Sequence, residues 1–258
     1  KRAVADGFRA VYITLELAEE VVARRADTMF TGIPKDEVKR RITEVSTKII
    51  QFGKPNSLRI VRMPASTTNS SHIRAYIREY QLTYGYLPDL LCVDYLDLMD
   101  SNAQVSAENI HLKDKYKSEE LRELGNEFDM SIATASQLGR GALTTKQEDI
   151  GQEHTAGGIS KVNTTDNMVA IIQNDKLRAE GRYFYKMLKT RSTGHVGRSF
   201  YSRIDPVTLV ISSDLGEMVG NQLKKPPMLS NMPSSLSDLK NLRRRALPNG
   251  NSDTNSAS

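Results

Sequence analysis

Cysteine occurs once in the 258 residues, at Cys92, so no internal disulfide can form. Its setting, Leu90-Leu91-Cys92-Val93, reads as a buried, inert thiol, which fits a reducing cytosol. His72, His111, His154 and His195 are scattered, and neither they nor the cysteine are spaced as metal ligands, which argues against a zinc site. No apolar run approaches the roughly 18 residues that a membrane helix needs. The longest clean one, Met168 to Ile172, is strand-sized. The opening Lys1-Arg2-Ala3-Val4 has no apolar secretory core, and without an initiator methionine the chain reads as a fragment or a processed product.

The surplus of charge is equally uneven. The formal net charge is +5, but Gly220 to Ser258 hold six basic residues (Lys224, Lys225, Lys240, Arg243, Arg244, Arg245) against two acids (Asp238, Asp253). The rest of the chain therefore carries only about +1. That is no large basic face, so any nucleic-acid contact by the body must come from local loops. The length suits one α/β domain, residues 1–219, followed by a flexible basic tail, residues 220–258. The tail is rich in Pro, Ser and Asn. A short helix at Ser235 to Leu247 would put Leu236, Leu239, Leu242 and Ala246 on one stripe, able to dock on a partner.

Strands and helices alternate along the body. Ala10 to Leu15, Leu58 to Met63, Leu90 to Val93 and Met130 to Ala135 read as strands, with Leu90 to Val93 buried on both faces. Helices are expected from about Ala18 to Phe30, from after Pro34 to about Gln51, from Thr68 to Thr83 with Asn69 or Ser70 as cap, and from Tyr116 to Phe128. Residues 101–114 read as loop, and Gln137 to Thr165 as a long functional loop rich in Gly, Thr and Gln. Strands then dominate, at Asn167 to Ile172, Tyr183 to Leu188, Val196 to Ile204 and Leu209 to Ile211. The fold class is α/β: a mainly parallel sheet flanked by helices, with antiparallel strands at its C-terminal edge.

Open α/β sheets bind ligands at the carboxyl ends of their strands. Three strands here end in polar residues: the first at Glu16, another at Asp94, a third at Ser136-Gln137. An acid placed like Asp94 can hold Mg²⁺ beside a triphosphate, or simply cap a loop. One placed like Glu16 can deprotonate a water, or simply favour a helix start. Gln137 can sense a γ-phosphate, or simply open a loop; Lys189 and Arg191, two apart at a strand end, point to one side where they could stabilise phosphoryl charge, or simply form a solvated hairpin end turned by Gly194. Singly, none of these is specific.

Their order is. Tyr12-Ile13-Thr14-Leu15-Glu16-Leu17 resembles the Ser-Leu-Glu-Met segment of DnaB-type replicative helicases, and Leu90 to Met99 resembles their Walker B segment. Ala135-Ser136-Gln137-Leu138-Gly139-Arg140 is similar to their Ser-Gln-Leu-x-Arg motif, and Lys189 to Gly194 to their Lys-x-Arg-x-Gly segment. The resemblance implies a RecA-like core assembled as a homo-hexameric ring on single-stranded DNA, with ATP and Mg²⁺ between neighbouring subunits. It implies a bacterial or phage-infected cytoplasm, with primase and a helicase loader as partners. Glu16 would be the catalytic base, Asp94 the Mg²⁺-supporting acid, Gln137 the sensor coupled to DNA, and Arg191 the finger for the neighbour's ATP with Lys189 beside it. Arg140, Gly157, Gly158 and Lys161 would contact DNA. Asp97 stands where the family usually has Gln, and His154-Thr155 where bacterial members have Arg-Glu, which suggests a phage or divergent branch.

No Gly-x-x-x-x-Gly-Lys-[Ser/Thr] phosphate loop occurs in these residues. The resemblance places it just before Lys1, so that residues 1–219 form the core without its first strand, and the chain alone is expected to hydrolyse ATP poorly or not at all. Two other readings use the same residues: a RecA or RadA-like filament, and a non-catalytic ring or adaptor subunit.

Overall fold

The computed structural model describes residues 1–53, 56–105, 109–156, 159–192 and 194–213. The expected basic tail and its helix lie outside them. A short helix α1 (Arg2–Ala5) leads into strand β1 (Ala10–Thr14), helix α2 (Glu19–Thr31) and helix α3 (Ile42–Phe52). Strand β2 (Leu58–Arg62), helix α4 (Ser70–Tyr84), strand β3 (Leu90–Asp94), helix α5 (Ile110–Glu127) and strand β4 (Ser131–Thr134) complete the first half. Helix α6 (Ile159–Thr164), strand β5 (Asn167–Ile172), helix α7 (Asp175–Ala179) and strands β6 (Arg182–Thr190), β7 (Ser199–Ile204) and β8 (Ile211–Ser213) follow.

Two sheets result. The first is all parallel, in the order β2-β1-β3-β4; the second is all antiparallel, in the order β5-β6-β7-β8. Helical crossovers of a dozen or more residues join the parallel strands, as such pairing requires. On one face of the parallel sheet, Val11, Ile13 and Leu15 next to Leu91 and Val93 pack against Ile73, Ile77 and Tyr80 of α4 and against Leu121 and Leu124 of α5. Gly125 lets α5 come close to β4, since a Cβ there would stand 3.1 Å from the Met130 carbonyl oxygen.

Helix α4 begins where its sequence says. The Asn69 side chain accepts from the backbone N–H groups of Ser71 and His72, and the His72 ring accepts from the Asn69 N–H. It ends at Gly85, whose φ of 75° is cheap only for glycine.

Four local expectations change. The helix read from Pro34 starts only at Ile42; residues 35–41 form turns, with Glu37 and Val38 N–H groups both donating to the Pro34 carbonyl. Burial of Ile33 and Val38 against Val45 sets that path. Helix α5 starts at Ile110, inside the stretch read as loop. The segment from Gln137 to Thr165 holds short single turns and α6. Finally, β3 alternates: Leu91 and Val93 are buried, while Leu90 and Cys92 are half-buried, so the second face is less covered than its apolar composition suggests. Burial still raises the Cys92 thiol pKa, which keeps it protonated and inert.

Candidate functional site

Because β1, β3 and β4 run parallel and in register, their polar ends share one rim. Thr14 lies opposite Asp94, and Val93 opposite Thr134. The Leu15 N–H donates to the Asp94 carbonyl at 2.8 Å, carrying the ladder to the residue before Glu16. The Thr134 hydroxyl donates to the Val93 carbonyl at 2.8 Å and accepts from the Leu96 N–H at 3.1 Å, which ties the third strand end to the second. Glu16, Asp94 and Gln137 are therefore brought to one edge, two residues past, at, and three residues past paired strand positions.

Asp94 is half-buried, and its Oδ2 accepts from the Tyr12 hydroxyl at 2.6 Å. Burial, and then that bond, push the Tyr12 phenol far above its ordinary range, so it stays a donor. One carboxylate oxygen is thus fixed, and among the described residues no hydrogen bond is made to Oδ1, where a cation or its water could bind. Among the described residues no three His, Cys, Asp or Glu side chains gather as metal ligands. A single rim carboxylate fits Mg²⁺ held mainly by phosphate oxygens and water, the usual arrangement for that ion. The Asp94-Tyr95 peptide is cis.

Gln137 is held twice. Its N–H donates to Asp97 Oδ2 at 2.9 Å, and its Nε2 donates to the Tyr95 hydroxyl at 2.9 Å. Its carbonyl accepts from the Ala156 N–H at 2.9 Å, and Leu138 bridges to Thr155. The loop between them therefore returns to the residue that precedes Gly157. Gly157 and Gly158 themselves lie outside the described residues. Arg140 is exposed and opens a single helical turn.

Lys161 requires a correction. Read as a DNA contact, it is 2% exposed, and its Nζ is paired with Asp97, with Asp114 Oδ2 at 3.1 Å and with the Ser136 hydroxyl at 3.2 Å. A cation so enclosed holds the protein's own carboxylates and offers no surface to a phosphate. Lys117 adds a second buried cation, 3.2 Å from Asp114 Oδ1. Sequence reasoning missed Tyr12, Tyr95, Asp114 and Lys117 as supports of the site. Only Asp97, a departure from the family pattern, carried a signal.

Lys189 and Arg191 do point the same way, as their spacing predicts, but onto α6 and not onto the rim. Lys189 Nζ donates to the Val162 and Asn163 carbonyls at 2.6 and 3.2 Å. Arg191 donates to the Asn163 carbonyl at 2.9 Å and to Asp166 Oδ1 at 3.0 Å. Cations suit the negative end of a helix. Burial, and then Arg191, lower the Lys189 pKa.

Residues 1–157, which hold the whole rim, match the family described as the DnaB-like helicase C terminal domain. The chain belongs to that family. This DnaB-like chain is 28% identical over 192 residues to the DnaB-like replicative helicase of Enterobacteria phage T4, covering 72% of the chain and 40% of that relative. It thus spans well under half of the relative's length. Its fold is similar to that in "The Structure Of A DnaB-Like Replicative Helicase And Its Interactions With Primase", with a TM-score of 0.65 and 13% identity over 79% of this chain and 50% of that one. It is also similar to a second solved structure, of an ATPase domain, with a TM-score of 0.65 and 14% identity over 80% and 74% of the two chains. The architecture is that of a RecA-like helicase ATPase domain.

Proposed function

We propose that this DnaB-like domain is the ATPase core of a replicative helicase that encircles single-stranded DNA as a homo-hexamer and translocates 5′ to 3′. The observation that carries the reading is the strand register that lines up Glu16, Asp94 and Gln137 along one rim. In this reading Glu16 takes the proton from the attacking water. Asp94, steadied by Tyr12, would hold Mg²⁺ or its water, and the cation would supply charge neutralisation for the nucleotide's phosphates. Gln137 orients against the γ-phosphate. Arg191, with Lys189 beside it, leaves Asp166 to meet the neighbouring subunit's ATP. That ion pair is solvent-exposed, so its loss costs at most about 1 kcal/mol. Arg140 and the Gly157-Gly158 backbone contact the strand's phosphates.

The proposed chemistry also needs a phosphate-cradling loop, a pattern that these 258 residues do not contain. Among the described residues β4 and β5 each end a sheet, and the β4 residues Ser131, Ala133 and Thr134 are exposed. The expected setting is a bacterial or phage-infected cytoplasm, with primase and a loader as partners. Among the described residues no helix is long and apolar enough to cross a membrane. The test is ATP turnover with single-stranded DNA, for these 258 residues and for the full-length protein, combined with negative-stain microscopy. Turnover only in the full-length protein, together with closed rings, is the expected result. Filaments would favour a recombinase-like ATPase, and a full-length protein without turnover would favour a non-catalytic ring subunit.

A further inference from the structure

The ionic group around Lys161 is the largest unexplained feature of the molecule. Four charged side chains, Asp97, Asp114, Lys117 and Lys161, meet at 22%, 11%, 7% and 3% side-chain exposure. Their charges cancel. Lys161 donates to Asp97 and the Ser136 hydroxyl and forms a second ion pair with Asp114. Stability does not require such a group. Taking ions out of water is costly, and apolar side chains of similar volume would hold α6 to α5 at least as well. What ions add is direction, and the possibility of two discrete arrangements.

The connections of this group are specific. Asp97 also accepts the Gln137 N–H at 2.9 Å and the Ser136 hydroxyl at 3.0 Å, so Lys161 grips the sensor segment through one shared carboxylate. Lys161 belongs to α6, and the next two residues of α6, Val162 and Asn163, present the carbonyls that hold Lys189 and Arg191. Helix α6 has six residues and is about 9 Å long. One short, rigid piece thus touches the sensor at one point and the finger at the next.

We infer that α6 is a strut that joins a subunit's own nucleotide sensor, Gln137, to the finger it extends to its neighbour, Arg191, with Lys161 as the positioning residue at the sensor end. When Gln137 turns toward a γ-phosphate, its N–H draws on Asp97. Lys161 follows, and the α6 carbonyls move under Lys189 and Arg191. Occupancy of one ATP site thereby sets the readiness of the finger at the next. The inference rests on the proposed function and deepens it.

The test uses the full-length protein with Lys161→Met, Lys161→Arg and the double variant Lys161→Met/Asp97→Asn. The single Met variant leaves one buried and one half-buried carboxylate to a single cation and should unfold at lower temperature. The double variant leaves Asp114 with Lys117, balanced in charge, and should unfold near wild type. If α6 is a strut, the double variant regains its fold but not its coupling. Stimulation of ATP turnover by single-stranded DNA falls on the order of tenfold, and the Hill coefficient for ATP drops to about one. Lys161→Arg retains much of both. A double variant with wild-type unfolding, wild-type stimulation and a wild-type Hill coefficient overturns the inference and leaves the ions a purely structural role. A wild-type protein with no DNA-stimulated turnover overturns the proposed function, and the strut with it.

Discussion

At the end of β3, Asp94 follows Leu91 and Val93, which are 0% and 2% exposed, and a tyrosine hydroxyl holds its carboxylate from the neighbouring strand. At the end of β6, Arg191 is 47% exposed and rests on Asp166, which is 61% exposed. Both are charged residues at strand ends, but the first is fixed by a core and a hydrogen-bonded ladder, the second by contacts that water can replace. A group that must meet the metal in one geometry benefits from the first setting. A group that must reach another subunit benefits from the second, since it can leave its resting partners at little cost. In the proposed site the parallel sheet would build the fixed half and the antiparallel sheet would carry the loosely held half.

That contrast can be broken most sharply at Arg191. In the full-length protein Arg191→Ala should lower DNA-stimulated ATP turnover by about 10³–10⁵-fold, as for other fingers supplied across an interface. Steady-state kinetics would show it, and unfolding should be unchanged because the side chain is half-exposed. A variant that kept most of its turnover would remove Arg191 from the neighbour's site. Glu16→Gln should come next, with turnover reduced by about 10²–10⁴-fold while a fluorescent ATP analogue still binds. Loss of binding in place of turnover would make Glu16 a structural residue.

The remaining tests measure rigidity directly. Leu91→Ala, at the centre of the parallel core, should cost about 2–5 kcal/mol by denaturant unfolding. Asn69→Ala removes the cap of α4, which packs on that core, and should cost about 1 kcal/mol in the same assay. Asp166→Asn should change stability least, by no more than about 1 kcal/mol, although it removes the charged partner of Arg191 and leaves only the Asn163 carbonyl. If Asp166→Asn proved as damaging as Leu91→Ala, the finger would not be loosely held and the contrast would fail.

The rim was legible because parallel strands impose a simple grammar: a short apolar run, then a polar residue at the carboxyl end. Glu16, Asp94 and Gln137 each follow such a run, and the register then had to place them together. The support of the rim was not legible. Tyr12 sits inside an apolar run where an aromatic reads as core, yet its hydroxyl reaches across to Asp94. Lys161, three residues after Gly158, falls where the family resemblance puts a DNA-binding loop. Only folding brings Asp97 and Asp114 onto it, because they lie on a turn and a helix far away in sequence. The start of α3 failed for a similar reason: Pro34 is a good first helical residue, but burial of Ile33 and Val38 against Val45 holds the next residues in turns.

The outer edge of β4 has a practical consequence. A strand end-row of N–H and C=O groups with Ser131, Ala133 and Thr134 exposed is a template for any other extended chain. Handled alone at high concentration, these 258 residues should stick to one another edge to edge, and more so as salt screens their modest charge. Light scattering measures that self-association directly, before any assay of turnover is attempted.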